Sequence, residues 1–234
     1  MSLAPDQPAL FQRILGIRFF IGSAEAAVQI GLQGGLVVVP AAPALVELQT
    51  NRSYREAVYN ADLAITDSGL MVLLWQLLTG KKIARVSGLR YLKLLHEMKV
   101  LQPRGSVLWI MPNATARDQN LAWLRSQGYE FTEADCYLAP HYAGGQIVDN
   151  ILASLVAKQK PRHIVVCLGG GTQERVGLML KQVCDFRPSI HCIGAAIGFL
   201  LGGPTGAVVG AGRGYLSSVI AGDLCAALGV YNIP

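Results

Sequence analysis

His163-Ile164-Val165-Val166-Cys167-Leu168-Gly169-Gly170-Gly171-Thr172-Gln173-Glu174 is the stretch that decides the fold class. Its first six residues are apolar or β-favouring without alternation, as in a strand covered on both faces. Three glycines end the run, and from Gln173 to Asp185 the apolar residues recur at helical spacing. A doubly covered strand that turns through glycines into a helix is the repeating unit of a parallel sheet sandwiched between helices.

Outward from that unit the same alternation recurs. Strands are expected at Ile17-Ile21, Leu36-Val39, Leu63-Thr66, Ser106-Met111, Glu130-Tyr137, His163-Leu168 and Ser189-Gly194. Helices are expected at Ser23-Leu32, Ala44-Gln49, Ser53-Asn60, Gly69-Leu78, Tyr91-Val100, Thr115-Ser126, Gln146-Lys158 and Gln173-Asp185. The fold class that follows is α/β, a Rossmann-like, mostly parallel sheet with helices on both faces. Ser23 ahead of Ala24-Glu25-Ala26 marks an N-cap, Asn113 to Thr115 opens another helix, and Gly128 closes it. There is no internal repeat and no low-complexity linker, so residues 1–234 are expected to form a single domain, with Pro103-Arg104-Gly105 as a hinge between two halves of one sheet. Residues 198–234 form an atypical Gly-rich C-terminal segment in which Tyr215 to Leu228 is the one helical candidate.

Of the 234 residues, 52% are hydrophobic and 15% charged, enough to bury a core of this kind. A net charge of +5 suits an anionic ligand. The basic residues are scattered apart from Lys81-Lys82 with Arg85, and no aromatic-plus-basic stripe points to nucleic acid. The five cysteines include no CxxC pair, which reads as buried reduced thiols of a cytoplasmic protein rather than a disulfide framework or zinc site. Met1 to Gln12 lacks the pattern of a signal peptide. Ile193 to Ala211 is uncharged and apolar, but six glycines and Pro204 interrupt it. It is expected to form a buried strand and loop, with surface attachment to a membrane as the second reading.

Ligands of open parallel sheets bind beyond the carboxyl ends of the strands, and three such places carry chemistry. Gly169, Gly170 and Gly171 let backbone N–H groups approach an anion at a helix start. There Thr172 begins the helix, Gln173 can donate to a phosphate or sugar oxygen, and Glu174 can accept from hydroxyls. A plain tight turn before a capped helix is an equal reading, since neither a P-loop nor GxGxxG is present. Asp67, in Thr66-Asp67-Ser68-Gly69, stands where a base could take a proton from an acceptor hydroxyl, or where Asp67 or Ser68 simply caps the next helix. Arg85 can grip a diphosphate bidentately, or belong to a solvated basic loop. The four histidines are far apart and no DxD pair is present, so no metal site is expected.

Taken in order, Tyr54-Arg55-Glu56-Ala57, Ala61-Asp62-Leu63-Ala64-Ile65-Thr66-Asp67-Ser68-Gly69, Arg85-Val86-Ser87-Gly88 and Gly169 to Glu174 resemble the WecG/TagA/CpsF family of bacterial glycosyltransferases. The likeness runs from about Val37 to Gly202. It implies a metal-independent, inverting enzyme without a cofactor. Such an enzyme moves a hexose or N-acetylhexosamine from a UDP-sugar to a polyprenyl-diphosphate-linked sugar, in cell-envelope or exopolysaccharide synthesis at the inner face of the plasma membrane. It also implies that Asp67 matches the catalytic base, Arg85 a diphosphate-binding arginine, and Gln173 and Glu174 the pair at the donor site. The chain departs from the family where Pro40-Ala41-Ala42 replaces Thr-x-Asn, Gly171-Thr172 replaces Pro-Lys, Arg90 replaces an Asp, Ser68 follows Asp67, and Gly198 falls where an acid usually stands. No counterpart of the family's basic tail is evident. The alternatives are a catalytically inactive relative that binds a nucleotide sugar or scaffolds a partner, and an unrelated nucleotide-binding enzyme, for which the missing GxGxxG speaks against NAD. Apolar residues in the last forty positions are the expected place for self-association or a membrane contact.

Overall fold

Eight strands pair edge to edge in the computed structural model, which describes residues 10–103 and 105–194. In chain order they are β1 (Phe11–Ile14), β2 (Ile17–Phe20), β3 (Gly35–Val38), β4 (Leu63–Ile65), β5 (Val107–Met111), β6 (Cys136–Leu138), β7 (His163–Val166) and β8 (Ser189–Cys192). The helices are α1 (Ala24–Gly31), α2 (Ala42–Val46), α3 (Arg52–Tyr59), α4 (Gly69–Thr79), α5 (Gly88–Glu97), α6 (Ala114–Ser126), α7 (Asn150–Gln159) and α8 (Thr172–Val183). Across the sheet the order is β1-β2-β4-β3-β8-β7-β5-β6. Every neighbouring pair is parallel except β1 with β2. The α/β architecture with a mostly parallel sheet is thus the one expected.

Both faces are covered because alternate residues of each central strand enter different cores. Leu36, Val38, Ile164, Val166, Leu108 and Ile110 face one core, closed by Leu45, Tyr54, Leu152, Val156, Val176 and Leu180 from α2, α3, α7 and α8. Val37, Val165, Trp109 and Met111 face the other, closed by Val28, Tyr91, Leu95, Leu121 and Leu124 from α1, α5 and α6. Gly177 lets α8 lie against β3 and β8, since a Cβ there would come within 2.6 Å of Leu36 and 2.7 Å of Cys192.

Several element ends differ from expectation. β1 forms a hairpin with β2 through Leu15 and Gly16, both at positive φ, the backbone of a two-residue hairpin turn. Leucine is a poor signal for that conformation, and the strand was not expected. Glu130-Tyr137 is not one strand: a 3-10 turn at Glu133–Asp135 precedes β6. α7 starts at Asn150 rather than Gln146 because Asp149 caps it, accepting from the Leu152 N–H at 2.9 Å. α5 starts at Gly88 because Ser87 accepts from the Arg90 N–H. Gly198, the segment 198–234, the helix expected at Tyr215–Leu228 and Arg104 of the expected hinge lie outside the described residues.

Candidate functional site

The carboxyl ends of β4, β3, β8 and β7 adjoin one another along one edge of the sheet. Asp67 follows β4 and the glycine turn follows β7, with β3 and β8 between them. Three strand spacings separate the two, roughly 14 Å at the usual distance between neighbours. They share an edge without touching.

At the β4 end, the chain returning from α4 to α5 folds back over the strand. Thr66 holds it: its hydroxyl donates to the Ala84 carbonyl at 2.6 Å and accepts from the Val86 N–H at 3.1 Å. Arg85 Nε then donates to the Asp67 main-chain carbonyl at 2.8 Å. Both Nη groups of Arg85, an exposed residue, stay without a hydrogen bond among the described residues. Asp67 Oδ1 accepts from the Gly88 N–H at 2.9 Å, at the first turn of α5, whereas Oδ2 has no such partner among the described residues. Asp67 therefore does not cap the helix that follows it; Ser68 does, accepting from the Met71 N–H at 3.1 Å. A carboxylate fixed through one oxygen and open at the other can receive a proton without reorganising. Sequence reasoning brought forward Asp67 and Arg85, and the structure places them together; it missed Thr66, whose signal was a hydroxyl directly after a buried strand.

The glycine turn is more self-contained. The Gly169 carbonyl accepts from the Thr172 and Gln173 N–H groups, which removes two donors of the helix start. Gly171 has φ +82°, and its N–H donates to Glu174 Oε2 at 2.7 Å. Gln173 Nε2 donates to Glu174 Oε1 at 3.1 Å. Glu174 is fully buried, and burial pushes its carboxyl up to about 7 against the lowering pull of these hydrogen bonds. Gln173 is buried too, and its Oε1 has no hydrogen-bond partner among the described residues. Gly169 and Gly170 are the exposed residues of the turn, and neither amide makes a hydrogen bond among the described residues. Thr172 is half-buried, with its hydroxyl accepting from Arg175 Nη2 at 3.3 Å.

Arg175 is the residue at this end that sequence reasoning did not single out. Although only 7% exposed, it has no carboxylate partner among the described residues. Nε donates to the Gly171 carbonyl at 3.0 Å, and Nη1 donates to the carbonyls of Ala143 at 2.9 Å and Gly145 at 2.6 Å. It thereby joins the turn to the loop between β6 and α7. That loop lines an open cavity of about 810 Å³, in which the hydroxyls of Tyr137 and Tyr142 both donate to Asp149 Oδ2. Of the altered positions, Pro40 is buried at the end of β3, Arg90 pairs with Glu25 and Glu97, and Ala41 is exposed.

The arrangement offers a fixed carboxylate, two free guanidinium nitrogens beside it, and two open amides with a buried positive charge three strands away. The model of a family described as glycosyl transferase WecG/TagA/CpsF matches residues 12–205. No curated protein matches the chain.

Proposed function

The chain belongs to the WecG/TagA/CpsF family of glycosyltransferases, and from that membership we propose an inverting, metal-independent transfer of a hexose or N-acetylhexosamine from a UDP-sugar to a polyprenyl-diphosphate-linked sugar. The transfer serves cell-envelope or exopolysaccharide synthesis at the inner face of the plasma membrane, and residues 1–234 carry it as one domain. The observation that carries the reading is the pairing at the β4 end: Asp67 with Oδ2 open, and Arg85 anchored through Nε to the Asp67 carbonyl.

In this mechanism Asp67 Oδ2 takes the proton of the acceptor hydroxyl. The hydroxyl oxygen attacks the anomeric carbon, forming the new glycosidic bond on the face opposite the breaking bond to the diphosphate, which inverts the centre. UDP leaves with the electron pair. The Arg85 Nη groups and the Gly169 and Gly170 amides meet the developing charge as preorganised donors. The separation of Asp67 from the turn lays the donor across the ends of β3 and β8. Gln173 and Glu174 act by shaping the turn, because Glu174 has both oxygens engaged and no exposed surface.

Asp67→Asn keeps an oxygen for the Gly88 N–H but cannot take the proton. Transfer is expected to fall at least about a hundredfold, the scale of general-base catalysis, while UDP affinity measured by titration calorimetry stays within about threefold, under 0.7 kcal/mol. Unchanged turnover removes Asp67 from the mechanism. UDP binding by the wild type with no transfer to any lipid-diphosphate acceptor favours the scaffold, the reading that Pro40-Ala41-Ala42 in place of Thr-x-Asn supports.

A further inference from the structure

α4, Gly69-Leu70-Met71-Val72-Leu73-Leu74-Trp75-Gln76-Leu77-Leu78-Thr79, carries no charge, and Met71 is its one buried residue. Leu70, Val72, Leu74 and Trp75 lean partly on one core. Leu73 and Leu77, four residues apart and so on one face, are 53% and 72% exposed, and Leu78 beside them is 41% exposed. An apolar helix face left open in this way marks an interaction surface. No helix among the described residues is long and apolar enough to cross a membrane.

Charge selects the partner. From Ser68 to His96 the chain has no Asp or Glu but carries Lys81, Lys82, Arg85, Arg90 and Lys93. Arg90 is paired with Glu25 and Glu97, whereas Lys81, Lys82 and Lys93 are exposed and form no ion pair among the described residues. Lys81 and Lys82 follow the α4 C-terminus directly, after Gly80 at φ +68°. Leucines flanked by free lysines are the chemistry of an anionic lipid surface, where the side chains enter the headgroup boundary and the ammonium groups meet phosphate. A second copy of this chain fits less well, since a two-fold contact of this segment with itself brings no Asp or Glu to meet these lysines. Residues 195–234 hold one arginine and one aspartate, and so bring no net negative side-chain charge to complement Lys81 and Lys82.

We propose that α4, with Lys81 and Lys82, is the surface by which this protein docks on an anionic phospholipid bilayer. The helix leaves the sheet at Ser68, next to Asp67, and the chain returns at Arg85, which is bonded to Asp67. Docking there brings the candidate base to the lipid face. This placement rests on the proposed lipid-linked acceptor.

The test sediments the full-length protein with vesicles of phosphatidylcholine alone and of phosphatidylcholine with phosphatidylglycerol, none containing acceptor. Wild type, Leu73→Gln/Leu77→Gln and Lys81→Glu/Lys82→Glu are compared, with gel filtration and thermal melting alongside. Wild type is expected to partition at least tenfold better onto the anionic vesicles, and each double variant to lose at least tenfold, with elution and melting unchanged. The proposal is overturned by a wild type that stays in the supernatant or by either variant binding like wild type. It is equally overturned by leucine variants that elute as a smaller species or melt lower, which assigns the face to a second copy or to the chain's own cover. Transfer to a short, water-soluble acceptor is scored separately: its absence with vesicle binding intact removes the functional reading alone, and its presence without vesicle binding removes only the docking surface.

Discussion

Glu174 shows how one buried carboxyl sets both a local shape and a pH dependence. Its Oε2 holds the Gly171 N–H while Gly171 sits at positive φ, so the turn and the acid are a single device. The groups around it are Gln173 and Arg175 on its own helix, Glu47 after α2, Tyr54 on α3 and Cys192 on β8. With the folded carboxyl raised to about 7 by burial, its contribution to stability is complete below the unfolded value and is lost as pH rises through 7. The loss is on the order of 3 kcal/mol. His163 and His191, stacked in the core and hydrogen-bonded to each other, act in the opposite sense. Burial holds them down to about 4 and about 3, so their contribution is present above the usual histidine value of 6.5 and is lost as pH falls from there through the lowered values. The two trends overlap between pH 4.5 and 6.5, and only a difference against a variant separates them. Glu174→Gln keeps the acceptor oxygen for Gly171 and cannot ionise. Chemical denaturation from pH 4.5 to 8 should show the wild type losing stability relative to this variant as pH rises, and a constant difference would mean that Glu174 is ionised throughout.

At the scale of elements, Arg175 ties α8 to the loop between β6 and α7 through the Ala143 and Gly145 carbonyls, and to the glycine turn through that of Gly171. Arg175→Ala leaves those acceptors unpaired, at a cost of about 3 kcal/mol if two bonds to a charged donor are effectively lost. Arg175→Lys restores charge but cannot span the three acceptors. Hydrogen exchange should quicken at residues 139–149 in both variants, and UDP affinity should fall about tenfold, which is 1.4 kcal/mol. Unaltered exchange in that loop would show that Arg175 does not hold it. The ends of elements also mark what the chain discloses by itself. The caps at Ser23 and Asn113 were readable because a short polar side chain precedes a helical pattern, and both accept as expected. Asp149 carries the same signal, but Gly144-Gly145-Gln146 ahead of it blurred the start of α7. The 3-10 turn before β6 depends on Thr132 and Asp135 bonding to each other, a local side-chain detail that apolar periodicity does not carry. In the candidate site, Asp67 and Arg85 were legible as residue types after a strand, whereas their contact depends on Thr66 drawing residues 84–86 across β4.

The whole molecule divides its work between the two edges of the sheet. Strand order was beyond reach of the sequence, because nothing local says that β8 inserts between β3 and β7 and so parts Asp67 from the glycine turn. The same order brings Asp62, Lys181 and Arg187 together at the opposite edge. Asp62 accepts from the Leu36 N–H at 2.7 Å, pairs with Lys181 at 2.8 Å and with Arg187 at 3.3 Å, and so binds the start of β3 to α8 and to the entry of β8. The candidate residues, and not this cluster, stand at the carboxyl edge, where ligands of such sheets bind. Removing Asp62 should therefore weaken the fold without touching transfer. Asp62→Ala strands the Leu36 N–H and two cations, costing about 2 kcal/mol, which corresponds to a melting point lower by roughly 4–8 °C in a protein of this size. UDP affinity and turnover, measured below the melting point of the variant, should match wild type. A variant that melts normally but loses transfer would place chemistry at the amino edge and dismantle this division.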